Sequence, residues 1–178
     1  MSTLVRVVLK SHGPALMHRY PPEGAKSHSK SARLEELVKD CEVFAYRSNG
    51  KNSELYFPSV HLHYAIREGA RFHKINRRAA WPIVEATIRV MPEKLMLGTT
   101  SYEAHVETVM NKTNGTRFLV ARPKIEKWEV EAQLEIQDDL TPVGLIKDAL
   151  VDGGRVDGLG ANRKRFGRFS VETWEVQE

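Results

Sequence analysis

A stretch near the carboxyl end, residues 153–169, constrains the fold of this chain more than any other. It reads GGRVDGLGANRKRFGRF, with five glycines and five basic residues between an apolar helical pattern and an alternating strand pattern. Glycine permits positive φ and lets another chain approach the backbone closely. Successive amides in such a turn can bind an anion, and arginine offers a fork of donors that fits phosphate. The stretch indicates a helix, a polyanion-binding loop and a strand, with a merely soluble connector as the alternative.

The length and composition favour one globular domain, residues 1–178. With 41% hydrophobic and 28% charged residues, a chain of 178 residues can bury a core. The net charge of +4 favours a polyanionic partner without requiring one. Cys41 is the only cysteine, which excludes an intramolecular disulfide and favours a reducing, cytoplasmic location. No apolar run reaches the ~20 residues of a membrane span, and the amino end lacks a signal-peptide layout, so no membrane partner is expected.

Hydrophobic periodicity predicts a mixed order of strands and helices. Strands are expected at 4–10, 42–47, 89–97 (broken by Pro92), 104–110, 117–122, 128–136 and 169–176, and helices at 31–39, 58–71, 79–88 and 141–150. Residues 12–30 have a loop composition. The first helix is expected to start at a Ser31 cap and to bury Leu34, Leu37 and Val38. The glutamates that alternate along 129–135 predict a strand with an acidic outer face.

The order of these elements predicts an α+β fold. Two segments are additional to a regular order of strands and helices: an insertion at 12–54, and a β-hairpin that turns at Asn114-Gly115. Without them a β-α-β-β-α-β core remains, which is the ferredoxin-like arrangement. The sequence therefore predicts a ferredoxin-like core with an insertion after the first strand, an extra β-hairpin and a glycine-rich loop at 153–168.

Basic residues concentrate in two places. One cluster begins near the end of the second predicted helix and comprises Arg67, Arg71, Lys74, Arg77 and Arg78. The other lies in the glycine-rich loop and comprises Gly158, Gly160, Asn162, Arg163, Lys164, Arg165, Phe166 and Arg168. Clustered cations beside glycine and an aromatic ring are the residue types that contact nucleic acid, so these positions are the candidate binding residues. Phe166 is a better candidate for base stacking than Tyr56, Phe57 or Tyr64, which are more often core residues at a strand–helix junction.

Two motifs resemble the RAMP superfamily. The segment ELYFPSVHLHYAIR at 54–67 resembles that family's Y-I-P-G-S-S-L-K-G-A-L-R segment, which enters the first helix of a modified RRM fold. The stretch ending GLGANRKRFGRF resembles its carboxyl-terminal glycine-rich loop. The insertion sits where backbone subunits of type I and type III CRISPR effector complexes carry a thumb-like element. Short RAMP-like proteins of phages and prophages are similar at the carboxyl end.

The resemblance implies that Arg67, Arg71 and the loop at 158–168 face a sugar-phosphate backbone. It further implies single-stranded RNA (guide-like) or DNA as the partner, together with copies of the same chain or other CRISPR effector subunits. We therefore expect a non-catalytic binding protein of the backbone-subunit type that oligomerises along the strand. The alternative is a phage-encoded interaction protein that mimics or blocks a host CRISPR subunit.

The histidines leave an enzymatic alternative open. His12 and His18, just after the first strand, are weak candidates for the general base of a metal-independent endoribonuclease, and solvent-exposed loop histidines are the favoured interpretation. His61 and His63 are two apart on a predicted helix and do not form an i, i+4 metal pair. No nucleophile motif, P-loop or dinucleotide fingerprint is present. We expect neither metal nor cofactor, and binding rather than catalysis.

Overall fold

The computed structural model describes residues 1–20, 33–110 and 113–177. In chain order the elements are β1 (Ser2–Ser11), β2 (Ala15–Leu16), α1 (Leu34–Asp40), a 3-10 turn (Cys41–Phe44), β3 (Tyr56–Pro58), α2 (Ser59–Gly69), a second 3-10 turn (Ala70–Phe72), β4 (Lys74–Ile75), β5 (Arg78–Ala79), α3 (Trp81–Thr87), β6 (Ile88–Met91), β7 (Lys94–Met96), β8 (Glu103–Met110), β9 (Arg117–Ile125), β10 (Glu129–Gln137), α4 (Val143–Val156) and β11 (Phe169–Gln177). The protein is thus a mixed helix and strand fold with several antiparallel sheets.

A four-stranded antiparallel sheet in the order β11-β1-β10-β6 forms the centre. Alternate residues of β1, Val5, Val7 and Leu9, are fully buried, as the period of two requires of a sheet with one covered face. They share one apolar core with Ile66 of α2 and Ile146 of α4. The two helices therefore cover one face of the sheet, and α4 runs directly into the glycine-rich loop.

The remaining strands form three small sheets. The order β2-β9-β8 joins the segment after β1 to the long hairpin, whose register runs from Glu103↔Lys124 to Met110↔Arg117. Strand β3 pairs with β7, and β4 pairs with β5 in a two-residue ladder. The hairpin turn at Asn114-Gly115 is confirmed, with Gly115 at φ 68°. None of the helices in the described residues is long and apolar enough to cross a membrane.

The predicted strand at 42–47 is wrong. Residues 41–44 form a 3-10 turn, because the guanidinium of Arg47 folds back onto the carboxylate of Glu42, with Nε 2.7 Å from Oε1. Five residues of extended chain would separate the two residues by ~16 Å. Tyr102 donates a further hydrogen bond to Glu42 Oε2 at 2.7 Å, which ties this turn to the start of β8.

Two other expectations need correction. Only Leu37 of the first helix is buried; Leu34 and Val38 are 58% and 44% exposed, because α1 packs a single residue against Cys41 and Ala121. The predicted cap Ser31 lies outside the described residues. The fourth helix does not end at residue 150 but continues to Val156, so residues 153–156 of the predicted glycine-rich loop are helical. The loop itself begins at Asp157.

Candidate nucleic-acid interface

The glycine loop (residues 157–168) is folded tightly against the segment that follows β1. The amide of Gly167 donates to the carbonyl of Pro14 at 2.9 Å, and the amide of Ala161 donates to the carbonyl of Leu16 at 2.7 Å. Gly160 and Gly167 have φ of 87° and 80°, and residues other than glycine rarely adopt this backbone conformation. These bends bury Leu159 completely and leave Lys164, Arg165 and Arg168 exposed.

The backbone amides of the loop are largely occupied by the protein itself. Those of Gly158, Leu159, Ala161, Arg165, Phe166 and Gly167 all donate to protein carbonyls within 3.1 Å. An anion would therefore meet side chains here, not a nest formed by these amides. The arrangement separates the role of the glycines, which shape the loop, from the role of the cations, which face solvent.

Three cations of the loop keep an uncompensated charge. Lys164, Arg165 and Arg168 are exposed, and none forms an ion pair with a carboxylate in the described parts of the chain. Arg168 donates instead to the carbonyls of Arg155 and Lys164, neutral acceptors that fix the guanidinium without cancelling its charge. The guanidinium of Arg165 lies 5.6 Å from the ring centre of Phe166, a cation–π distance.

Arg163, between these exposed residues in sequence, points inward. Its Nη1 lies 2.9 Å from Oδ2 of Asp157, and both atoms are buried although they are not aligned as a hydrogen bond. Burial raises the pKa of Asp157, and the charge of Arg163 acts in the opposite direction. Arg163 therefore neutralises a buried carboxylate, in contrast to its neighbours Lys164 and Arg165.

The predicted basic cluster at the second helix also contains both compensated and uncompensated cations. Arg67 pairs with Glu68 at 2.8 Å and with Glu85 at 3.1 Å, and Arg71 pairs with Glu68 at 2.8 Å. The guanidiniums of Arg67 and Arg71 also lie 6.0 and 5.1 Å from the ring centre of Trp81. These two arginines are held by carboxylates and an aromatic ring, so their charge is already compensated.

The other three cations of that cluster stand on the basic hairpin (residues 74–79, β4 and β5). Lys74, Arg77 and Arg78 are exposed, and no described carboxylate lies within ion-pair distance of them. The tip turns at Asn76 and Arg77, with φ of 50° and 67°. The hairpin thus presents three cations that the protein does not neutralise.

A groove lies between the second 3-10 turn, the end of α4 and the start of β11. It has a volume of about 910 Å³, and its lining includes Phe72, Val151, Arg155, Val156, Arg168 and Phe169. The basic hairpin begins two residues after Phe72, and Arg168 belongs to the glycine loop, so this Phe72 groove borders both segments. Phe72 and Arg155 were absent from the predicted binding residues. The sequence signal was present, since Phe72 stands between Arg71 and His73.

The long hairpin β8–β9 borders the glycine loop on another side. The ring of His105 makes an edge contact with Phe166, with centroids 5.4 Å apart. The side-chain amide of Asn162 reaches Glu107 Oε2 at 3.5 Å, and Glu107 in turn pairs with Arg122. Phe166 is consequently half-buried between Arg165 and His105, and these contacts with the hairpin were not predicted from the sequence.

The candidate general bases lie in different surroundings. His12 is exposed and lines the Phe72 groove, and its backbone amide donates to the carbonyl of Arg168. His18 stacks on Phe44 at 5.0 Å, and Arg122 Nε donates to its Nδ1 at 3.3 Å. Burial, followed by the charge of Arg122, lowers the pKa of His18. Within residues 1–20, 33–110 and 113–177, no group of three or more His, Cys, Asp or Glu side chains is placed to hold a metal ion.

The uncovered face of the central sheet differs from the basic surfaces. Arg6, at its centre, bridges Glu131 at 2.8 Å and Glu175 at 3.0 Å. The β10 glutamates lie on the outer face as expected, and the described outward residues of these four strands include no aromatic ring. RRM domains stack bases on aromatic rings of this face. Here the exposed cations of the glycine loop and the basic hairpin, with the groove that borders them, form the candidate surface for a polyanion.

Comparison with known proteins supports the fold alone. No family model and no curated protein matches the chain. The chain is structurally similar to a chain in the "Cryo-EM structure of the Type III-B Cmr-beta bound to cognate target RNA", with a TM-score of 0.53 and 13% sequence identity. The match covers 99% of this chain and 61% of that one, so this chain spans about three-fifths of its neighbour's length. At this identity the similarity shows that the two chains share a fold.

Proposed function

We propose that the protein is a non-catalytic binding protein for single-stranded RNA, of the CRISPR backbone-subunit type, which oligomerises along the strand. The single observation that carries this proposal is the distribution of charge. Arg67, Arg71 and Arg163 are neutralised within the protein, whereas Lys164, Arg165 and Arg168 of the glycine loop and the three cations of the basic hairpin pair with no carboxylate of the described residues. Phosphate contacts of this kind position a strand without reading its sequence.

The fold part of the proposal is a ferredoxin-like, modified RRM core. The sheet order β11-β1-β10-β6, with α2 between β1 and β6 and α4 between β10 and β11, supports it. On this view residues 12–54 are a thumb-like insertion and β8–β9 is the extra hairpin. The structural neighbour, a chain from a Cmr-beta assembly with bound target RNA, supports RNA as the ligand and a multi-subunit complex as the setting.

The test is a salt titration with two charge-matched variants. Lys164→Ala/Arg165→Ala removes two free cations of the glycine loop, and Arg89→Ala/Lys147→Ala removes two exposed cations from β6 and α4. Fluorescence anisotropy with single-stranded RNA, single-stranded DNA and duplex RNA gives affinity against salt concentration. If both loop cations contact phosphate, the log–log slope for a single strand falls by about 1.4, since each contact contributes about 0.7.

The control variant should keep the wild-type slope. A loop variant whose slope equals that of the wild type would overturn the assignment of the loop. A wild-type protein that binds no single strand at low salt would overturn the proposed function and would favour the protein-directed alternative. Chain copies bound along the strand should appear in light scattering as a mass that grows with RNA length, and a constant one-to-one complex would contradict oligomerisation.

A further inference from the structure

The Phe72 groove combines an exposed aromatic ring with two arginines. The side chain of Phe72 is 66% exposed, although neighbouring Ala70 is fully buried. Val151 and Val156, on the same groove, are also about 40% exposed, so the lining is apolar. A ring that is two-thirds exposed contributes little to the core, and it offers a flat surface to a ligand.

The arginines of the groove differ in how firmly they are held. Arg168 is fixed by two backbone carbonyls, whereas Arg155 is 75% exposed and lies 3.8 Å from Asp152. Asp152 is the carboxylate that lines this groove, and its other oxygen contacts His73 Nε2 at 2.9 Å. Asp152 is thus held more closely by His73 than by Arg155, and the long ion pair leaves the guanidinium of Arg155 largely exposed to an anion.

We propose that the Phe72 groove holds one nucleotide of the bound strand, with its base stacked on Phe72 and its phosphate between Arg155 and Arg168. This inference rests on the proposed function and adds a base-binding position to it. Charge complementarity selects the ligand, because an apolar floor beside two guanidiniums fits an aromatic base joined to a phosphate. The groove volume of about 910 Å³ lies in the range of small-ligand sites.

The location of the groove supports the same ligand. Arg168, which lines the groove, belongs to the glycine loop and donates to the carbonyl of Lys164, and Lys74, Arg77 and Arg78 lie on the hairpin that begins just after Phe72. A strand that crosses from the glycine loop to the basic hairpin would pass over Phe72. The stacking position would be tolerant of sequence, because every base has a π-face and no hydrogen-bonding code is required.

The experiment compares Phe72→Ala with the wild type on two oligonucleotides of equal length, single-stranded RNA and an abasic strand with the same phosphates. Loss of one stacked base corresponds to roughly 5- to 150-fold weaker binding. We expect this loss for Phe72→Ala on RNA, no loss on the abasic strand, and recovery on RNA with Phe72→Trp. Because Phe72 is exposed, the variants should fold, which circular dichroism verifies.

Leu140→Ala is the matched control, since Leu140 is 60% exposed and follows β10, at the opposite end of β1 from the groove. It should bind both strands like the wild type. If Phe72→Ala and the wild type bind RNA with equal affinity, the proposed nucleotide site in the Phe72 groove is overturned and the proposed function is left intact. An equal loss on RNA and abasic strand would also overturn it, because stacking would not be involved. If the wild-type protein binds neither strand, the proposed function itself is overturned.

Discussion

Gly69 of α2 lies directly against the backbone of α4 at Gly153. A β-carbon built on Gly69 would be 2.5 Å from the Gly153 nitrogen, and one built on Gly153 would be 2.6 Å from the Ala65 carbonyl carbon. The contact is therefore reciprocal, and each helix uses a glycine where the other comes closest. Since α4 ends three residues after Gly153, this crossing sets where the glycine loop leaves the helical layer.

The first prediction concerns this helix crossing. Gly69→Ala and Gly153→Ala should each lower the free energy of unfolding, because the added methyl group overlaps backbone atoms that cannot rotate away. Overpacking of this kind costs about 1–3 kcal/mol, which exceeds the gain of about 1 kcal/mol from replacing a helical glycine. Urea unfolding followed by circular dichroism measures the change.

Gly144, in the first turn of α4, provides the control. A β-carbon there meets nothing within 4 Å, so Gly144→Ala should leave stability unchanged or raise it by up to about 1 kcal/mol. If Gly69→Ala and Gly144→Ala had the same effect, the close helix contact would be refuted.

The second prediction separates free from neutralised cations. Lys74→Ala/Arg77→Ala should reduce the salt dependence of RNA binding by about 1.4 in the log–log slope. Arg67→Ala/Arg71→Ala removes the same formal charge, but Glu68 and Glu85 already compensate these arginines, so the slope should change much less. Equal changes from the two variants would show that pairing with carboxylates does not determine which cations contact the strand.

The third prediction is a pH dependence that originates at His61. Burial lowers the pKa of His61 to about 4, and the charge of Arg163 adds to the effect; no described group bonds its buried Nδ1. The unfolded chain has a histidine pKa near 6.5 and so binds a proton that the folded state excludes. Stability should therefore fall as the pH drops from about 6.5 towards 4, by about 2 kcal/mol between pH 7 and pH 5.

His61→Gln, which does not titrate, should remove this part of the slope. Burial also lowers the pKa of His18 and His63, but both remain in the variant, so the difference between the two curves isolates His61. Urea unfolding at several pH values gives the curves. Parallel curves for the wild type and His61→Gln would contradict the prediction.

The fourth prediction concerns the thiol of Cys41. Burial raises its pKa to about 12, with a smaller contribution from Glu42, so the reactive thiolate is absent near neutral pH. A chromogenic disulfide reagent at pH 8 should leave the native protein unmodified and should react with one thiol per chain in denaturant. Ser2→Cys in a Cys41→Ser background places a thiol at an exposed position and should react at once. Fast modification of native Cys41 would mean that α1 opens readily.

The sequence predicted most of the fold because most elements follow a single period. The alternation from Trp128 to Ile136 and the helical stripe of Leu62 and Ile66 depend only on which face is buried, so both were confirmed. The segment 42–47 alternates equally well, yet the Glu42–Arg47 ion pair folds it into a turn. The alternation of apolar residues does not report this ion pair, because the pair depends on the charges of Glu42 and Arg47 and not on which positions are apolar.

The candidate site was predictable as a set of charges but not as a surface. Arg163 and Arg165 stand two residues apart in the same run of cations, and only the loop's bends direct one to Asp157 and the other to solvent. Phe72 was missed for a related reason. Its exposure depends on how the 3-10 turn sits against α4, and an aromatic residue in sequence is more often part of a core.

The internal hydrogen bonds of the glycine loop bear on how a ligand would be received. Because the amides of Leu159, Ala161 and Gly167 are already satisfied by the protein, the loop needs no partner to hold its shape. Binding to it would not require the chain-ordering entropy that a disordered basic arm must lose. A nucleic-acid strand would bind a surface that is already folded. Calorimetry should then measure a heat-capacity change on binding that reflects the buried contact area, with no contribution from a segment that folds on binding.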